Sequence, residues 1–409
     1  MAKKSSRVSQ LNVGLELEQQ LKKEIFDFLQ YDAVSVVMDN VKFWEDCIHR
    51  TKSEFFTSSI HVSNDLMEPL YNLLLLAKDR LGFKEEVDLY VVTDNNINAS
   101  AYYSYDKNEP HLIAVNSGMI NSLTDNEILG VIGHEIGHLI FQDIEMNRLV
   151  AFVYGDESVP RYIDGKLMML SQLHEIRCDR CAYIACGELD ASITAQFMMM
   201  CGVNYSRFGG DVKGLLSRSR HHVECMCNGD YCQEGGSHPD SPIRVTAMEI
   251  FATTTDTSEL KKEMKPIVEL VNLWKADPMD KYYADYIVSA GLMIANFDGK
   301  ITDEEINAII SNVVNYELFP IKSYKKIAKK NIESTFRKSA KAILEQEPFK
   351  ADYLMKYILR MMVADQKLNA DEINFAYHIA IEVFDMDKDQ FSNCYAEVLR
   401  EFFKPRYAL

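Results

Sequence analysis

EILGVIGHEIGHLIFQD, residues 127–143, sets His134, Glu135 and His138 into a run that is otherwise almost wholly apolar. Just upstream, TDNE at 124–127 has the spacing of a capping box, with Thr124 as the cap and Glu127 reaching back, so the run reads as a helix. Positions i and i+4 share a helix face, and His134 and His138 can therefore aim both imidazoles at one point, with Glu135 beside it. The apolar residues form a buried face, and the polar trio is expected on the exposed one. Gly133 and Gly137 leave room for a neighbouring backbone and for substrate, at some cost in helix propensity.

A second segment completes the pattern. HEIRCDRCAY at 174–183 falls on a helix expected from about Gly165 to Ala185, with Gly187 as its stop. Glu175 and Asp179 are again i and i+4. One carboxylate can ligate a metal while the other accepts a hydrogen bond from a ligand histidine, His134. His174 is an alternative ligand, but it faces about 100° away from Glu175. The competing reading is a solvated acidic face paired with Arg177 and Arg180. Two neutral imidazoles and a carboxylate suit Zn²⁺, with Glu135 beside the ion but not on it; the spacing is that of the zinc-peptidase motif HExxH. Cys178 and Cys181 form a CxxC on this same helix, where packing is the expected role.

Working outward, helical periodicity leads in over residues 14–50 and 64–82, the latter through Leu66, Leu70, Leu73, Leu74 and Ala77. The period then shortens: VDLYVVTD (87–94) and HLIAVNS (111–117) read as strands of one small sheet, and NINASAYYSY between them as a third. More helices follow to about residue 276. Residues 205–242, rich in Gly, Ser, Asp, His and Cys, are expected to form a long loop over a working surface. Within it Cys225, Cys227 and Cys232, with His221, His222 or His238, could hold a structural zinc, or else be free thiols.

At 409 residues and 47% hydrophobic content the chain can fill more than one core. Its net charge of -17 argues against nucleic acid and anionic membranes as partners. No apolar run approaches the roughly 20 residues that span a bilayer, and the amino terminus lacks a signal-peptide core. Nine cysteines in so large a chain fit a reducing compartment, so the expected location is the cytoplasm.

From Lys281 onward 18 basic residues nearly balance 19 acidic ones, which places most of the net charge upstream and marks a boundary near 278. This tail repeats itself: ANFDGKITDEEINAI (295–309) resembles MVADQKLNADEINFA (362–376), each copy a helix, an acidic turn and a helix. Thr302 with Glu305, and Asn369 with Glu372, are candidate capping boxes. The turns lack the ligand spacing of a calcium-binding EF-hand. The expected fold class is α+β, mostly α. It comprises a helical lead-in (1–63), a zincin-like peptidase domain with one small sheet (64–277) and an all-α domain (278–409).

HExxH, a following helix with Glu-x-x-x-Asp, a strand pair ahead of the first helix, and SHPDSPIRV (237–245) with its His-Pro-x-x-x-x-Arg together resemble the gluzincin metallopeptidases of the HtpX and CAAX prenyl protease kind, over roughly residues 64–255. The absence of membrane spans departs from many of that kind and argues against a prenyl-processing role. The resemblance implies that Zn²⁺ on His134, His138 and Glu175 acts with Glu135 as general base, with Asp179 behind His134. It places His238 and Arg244 near the active site, one of them a donor to the developing oxyanion. It also implies that Asn98, Ala99, Ser100, Ala101 and Tyr102 approximate the family's Asn-Ala segment before an aromatic. Substrate, a peptide or protein, would add its backbone to a strand near 98–105 or 111–116. A noncatalytic scaffold built on the same fold is the alternative. The tail resembles the TerB-like helical domain of tellurite-resistance proteins, which implies a protein partner or a hold on activity.

Overall fold

A computed structural model describes residues 13–204, 209–230, 237–271, 278–296, 301–363 and 370–402. The chain divides into two compact units, residues 1–159 with 166–273, and residues 274–409 with 160–165. The fold is α+β and mostly helical, with one small mixed sheet.

The first unit opens with helices α1 (Glu16–Phe28), α2 (Tyr31–Asn40) and α3 (Glu45–Ser58). Strand β1 (Ile60–Val62) and helix α4 (Glu68–Leu81) follow, then strands β2 (Val87–Val92), β3 (Ala99–Tyr102) and β4 (His111–Asn116). The sheet order is β1-β2-β4-β3, with β2 and β4 parallel and both outer strands antiparallel to their neighbours. Three of the strands lie where the sequence expects them. The fourth, β1, comes from the stretch read as helical lead-in; at three residues it is too short for a period-2 pattern to show. β4 has a partner on each side, so the expectation that substrate could add to 111–116 is corrected: only β3, at the sheet edge, can accept another strand beside the site.

Behind the sheet come α5 (Ser117–Ser122), α6 (Asp125–Phe141), α7 (Ile144–Tyr154), α8 (Arg161–Cys186) and α9 (Leu189–Cys201), then α10 (Val212–Asn228), α11 (Ser241–Thr253) and α12 (Thr257–Val271). The capping box that starts α6 is formed on both sides: Thr124 N donates to Glu127 Oε2 at 2.7 Å and Glu127 N to Thr124 Oγ1 at 3.5 Å. The long loop expected at 205–242 is instead interrupted by α10. Asp211 caps that helix through the Gly214 amide, and Gly229 ends it at φ 84°. The helix buries only Ser219 and Val223, so its composition resembles a loop although its period does not. No helix among the described residues is long and apolar enough to cross a membrane.

The second unit is all-α: α13 (Pro278–Ala295), α14 (Asp303–Val313), α15 (Pro320–Ile327), α16 (Ile332–Gln346), α17 (Ala351–Met362), α18 (Ala370–Phe384) and α19 (Lys388–Phe402). Its core gathers Tyr286, Phe336, Ile343, Met355 and Leu359, with the Tyr286 and Tyr357 hydroxyls donating to the carbonyls of Leu354 and Ile287. The Thr302–Glu305 capping box is present. The acidic turns at 297–300 and 364–369, and with them Asn369, lie outside the described residues.

Candidate active site

Two helices make the site by lying unusually close. A Cβ on Gly133 would sit 2.2 Å from the Cβ of Ala185, and one on Gly137 would sit 3.1 Å from Cys178 Sγ and 3.2 Å from Cys181 Cβ. The glycines thus admit the backbone of α8; this helix, and not substrate, fills the space beside them. Cys178 and Cys181 are buried packing residues in that seam. The polar trio is not solvent-exposed as expected: His134 and Glu135 are buried and His138 is half-buried, because α8 covers the face that the sequence pattern leaves polar.

Across this seam His134 Nε2 lies 3.2 Å from His138 Nε2 and 3.4 Å from Glu175 Oε2, and His138 Nε2 lies 3.5 Å from Glu175 Oε1. An ion bonded at about 2.0–2.1 Å to tetrahedral ligands holds them about 3.4 Å apart; one ligand atom from each of the three side chains lies within 4.8 Å of the others, close enough to share one ion after small adjustments. Two neutral imidazoles and a carboxylate are also the donor chemistry that a catalytic zinc takes. His174 turns elsewhere, 3.4 Å from Asp143 Oδ1.

Each candidate ligand is held from behind. His134 Nδ1 faces Asp179 Oδ1 at 3.1 Å, as the sequence leads one to expect. His138 Nδ1 faces Asp143 Oδ2 at 2.9 Å, a partner the sequence reading missed. Asp143 lies just past the end of α6, where Gln142 in the left-handed region, φ 52°, turns the chain back toward His138. A carboxylate five residues beyond the second histidine was the available signal. Arg244 donates to both oxygens of Asp179, at 2.8 and 2.6 Å, and lies 3.2 Å from Glu175 Oε2. Its guanidinium is committed to two carboxylates.

These contacts set the charges. Burial raises the Glu175 carboxyl, but Arg244 and then His134 outweigh it and hold it well below the usual carboxylate range; Asp179 is depressed in the same way, chiefly by Arg244. Burial disfavours the His134 cation, yet Asp179 and Glu175 hold its pKa up at about 10 in the protein alone. A cation is strongly favoured at this point, and a metal must displace a proton to occupy it.

The cleft in front measures about 1020 Å³ and is lined by Asn95–Ala101, the helix α6 residues His134, Glu135 and His138, and His238, Met199 and Met248. Edge strand β3 forms one wall. Asn116 N donates to Asn98 O at 3.0 Å, and alternation along an antiparallel pair then assigns Ser100 and Tyr102 to the bonds with β4 and turns the N–H and C=O groups of Ala99 and Ala101 outward. His238 is 62% exposed on its side chain and lies 3.4 Å from Glu175 Oε1, so it stands at the mouth of the site. Cys225 and Cys227, two residues apart on α10, point about 200° apart around the helix. Cys225 lies 3.8 Å from His221 Nε2, and Cys232 is outside the described residues. No cluster of three metal-ligating side chains includes these cysteines among the described residues.

Fold and site together define a metallopeptidase-like centre, and residues 70–251, somewhat under half of the chain, match the sequence model of Peptidase family M48. The match supports a metallopeptidase of the HtpX and CAAX-protease kind; peptidases of that family are zinc-dependent and act on peptides or proteins. No match was found among curated proteins or among solved structures.

Proposed function

We propose that the protein is a zinc-dependent endopeptidase in which His134, His138 and Glu175 hold one Zn²⁺ and Glu135 is the general base. The observation that carries this reading is the convergence of the ligand atoms: the two Nε2 atoms lie 3.2 Å apart, and the Glu175 carboxylate meets them with one oxygen each, Oε2 at 3.4 Å from His134 and Oε1 at 3.5 Å from His138. Zinc bound there supplies a Lewis acid that polarises the scissile carbonyl and acidifies a water.

The chain's own groups do the rest. Ala99 and Ala101 present outward backbone groups that would pair with an extended peptide and lay it across the cleft. Glu135, buried in the cleft wall, takes the proton of the attacking water and passes it to the departing amine. His238, exposed at the mouth, donates to the oxyanion that develops on the carbonyl. Arg244, committed to Asp179 and Glu175, positions the ligand set and leaves the oxyanion to His238. Asp179 and Asp143 fix the two imidazoles so that Nε2 of each faces the ion. The described cysteines are all free, which favours the cytoplasm. The all-α second unit carries a groove of mixed character, lined in part by Leu292 and Phe375 and by Glu333, Arg337 and Glu382, suited to a protein partner.

The test is metal analysis combined with cleavage of a denatured protein substrate. One zinc per chain and chelator-sensitive cleavage are expected. A chain that holds zinc at these residues but cleaves nothing would favour the scaffold reading.

A further inference from the structure

The family match begins at residue 70, yet the support of the metal site reaches back to α1. That helix buries Leu21 and Ile25 completely. One turn earlier on the same stripe stands Glu18, only 6% exposed, where an apolar residue would be expected. A buried carboxylate is costly unless paired, and Glu18 is paired with Arg177 of α8. Arg177, itself almost fully enclosed, lies over the Phe141 ring at 3.9 Å, and its other nitrogen donates to both oxygens of Asp143. Asp143 in turn faces His138 Nδ1. His174 closes the ring, 3.4 Å from Asp143 and 3.7 Å from Glu18.

We infer that Glu18 is a positioning residue of the metal site, acting through Arg177 and Asp143 on His138. The proposal rests on the reading of His138 as a zinc ligand. Arg177 is one cation shared between two carboxylates. With Glu18 present its charge is divided, and Asp143 Oδ2, although it also accepts from Arg177, stays 2.9 Å from His138 Nδ1 and holds that N–H, which leaves Nε2 free to bind metal. Without Glu18 the guanidinium has Asp143 as its one carboxylate partner among those described, and its pull draws Asp143 away from His138. The lead-in helix, outside the matched region, is thereby part of the site. Further contacts hold α1 and the residues before it in place: Lys166 pairs with Glu24, and Arg180 donates to the Val13 carbonyl at 2.9 Å.

The test uses the full chain and reads metal binding directly. Zinc affinity is measured by competition with a chromophoric chelator, and ligand geometry by the visible bands of the cobalt(II)-substituted protein. Glu18→Gln should weaken zinc roughly three- to tenfold, toward the lower end of what loss of an outer partner costs, shift the cobalt bands, and lower kcat with KM unchanged. Glu24→Gln removes the neighbouring ion pair on the same helix and should leave affinity within about twofold of the parent. In an Asp143→Asn background, Glu18→Gln should add nothing. Parent-like affinity and spectrum in Glu18→Gln, an equal loss in Glu24→Gln, or an undiminished effect in the Asp143→Asn background each overturn the proposal. If Glu18→Gln does not fold, Glu18→Asp, which keeps the charge but shortens its reach to Arg177, replaces it, and parent-like zinc affinity and cobalt spectrum there overturn the proposal as well. A chain that binds zinc without cleaving peptide defeats the peptidase reading alone; one that takes up no zinc defeats both.

Discussion

The two units solve the burial problem in opposite ways. Around the candidate metal site the first unit encloses His134, Glu135, Glu175, Arg177, Asp179 and Arg180, a concentration of charge that folding alone would disfavour. The second unit fills its core with Phe336, Ile343, Met355 and Leu359, and its buried tyrosines spend their hydroxyls on backbone carbonyls. Both use close helix contacts made by glycine: Gly133 against Ala185 in one, Gly291 against Ile309 in the other. The same packing device shapes the candidate site in the first unit and the apolar core in the second. Buried charge that is paired and aimed at one point is a sign of function; buried apolar surface is not.

The sharpest break in that comparison is Glu135→Gln. It should keep one zinc per chain and lower the rate of peptide cleavage by at least about 10³-fold; cleavage at the parental rate with zinc retained would remove Glu135 from the mechanism. Asp179→Asn comes next, with a loss of about 10–100-fold in zinc affinity, read by chelator competition. No core substitution in the second unit should reproduce that loss.

Gly133→Ala and Gly291→Ala should each cost about 1–3 kcal/mol by overpacking. Thermal unfolding with and without zinc separates them: only Gly133→Ala should reduce the stabilisation that zinc confers, because it forces α8 and Glu175 away from the histidines. Equal zinc responses would mean that the helix spacing does not set how Glu175 meets the two histidines.

The pH dependence sharpens the contrast further. In the zinc-free protein His134 is held up at about 10, so its stabilising share is complete below its unfolded value of about 6.5 and is lost as pH rises through about 10. Glu175 and Asp179, both depressed, contribute above about pH 4 and lose that share as acid protonates them. The melting temperature of the zinc-free first unit should therefore fall between about pH 6.5 and 10, and zinc should abolish that fall. The smallest effect expected is Tyr286→Phe, about 1 kcal/mol from one lost hydrogen bond, visible in the unfolding of the second unit and silent in zinc affinity.

Much of the site is legible in the residues themselves. His134 and His138 are locked to one face by a four-residue spacing, and Thr124 and Glu127 announce the helix that carries them. Glu175 and Asp179 repeat the spacing on a second helix, and the structure brings all four together. Asp143 was visible only as a carboxylate five residues beyond His138; its contact depends on a left-handed turn at Gln142 that no pattern of apolar residues announces. Nor was α10 recognised, since a helix that buries only two residues carries little apolar period. Arg177 and Arg180 fit a solvated face by composition and lie buried in fact.

By itself the sequence determined which side chains share a helix face, since the α-helical repeat acts over a few residues and needs no partner. It determined the strand-rich interval between the helices and the change of character in the tail for the same local reason. Only the tertiary structure decided that α6 and α8 approach closely enough to bring Glu175 within 3.5 Å of both histidines, that β3 and not β4 keeps a free edge, and that Glu18 reaches Asp143 through Arg177. Those are meetings between segments up to more than a hundred residues apart in the chain, and they follow from how surfaces pack.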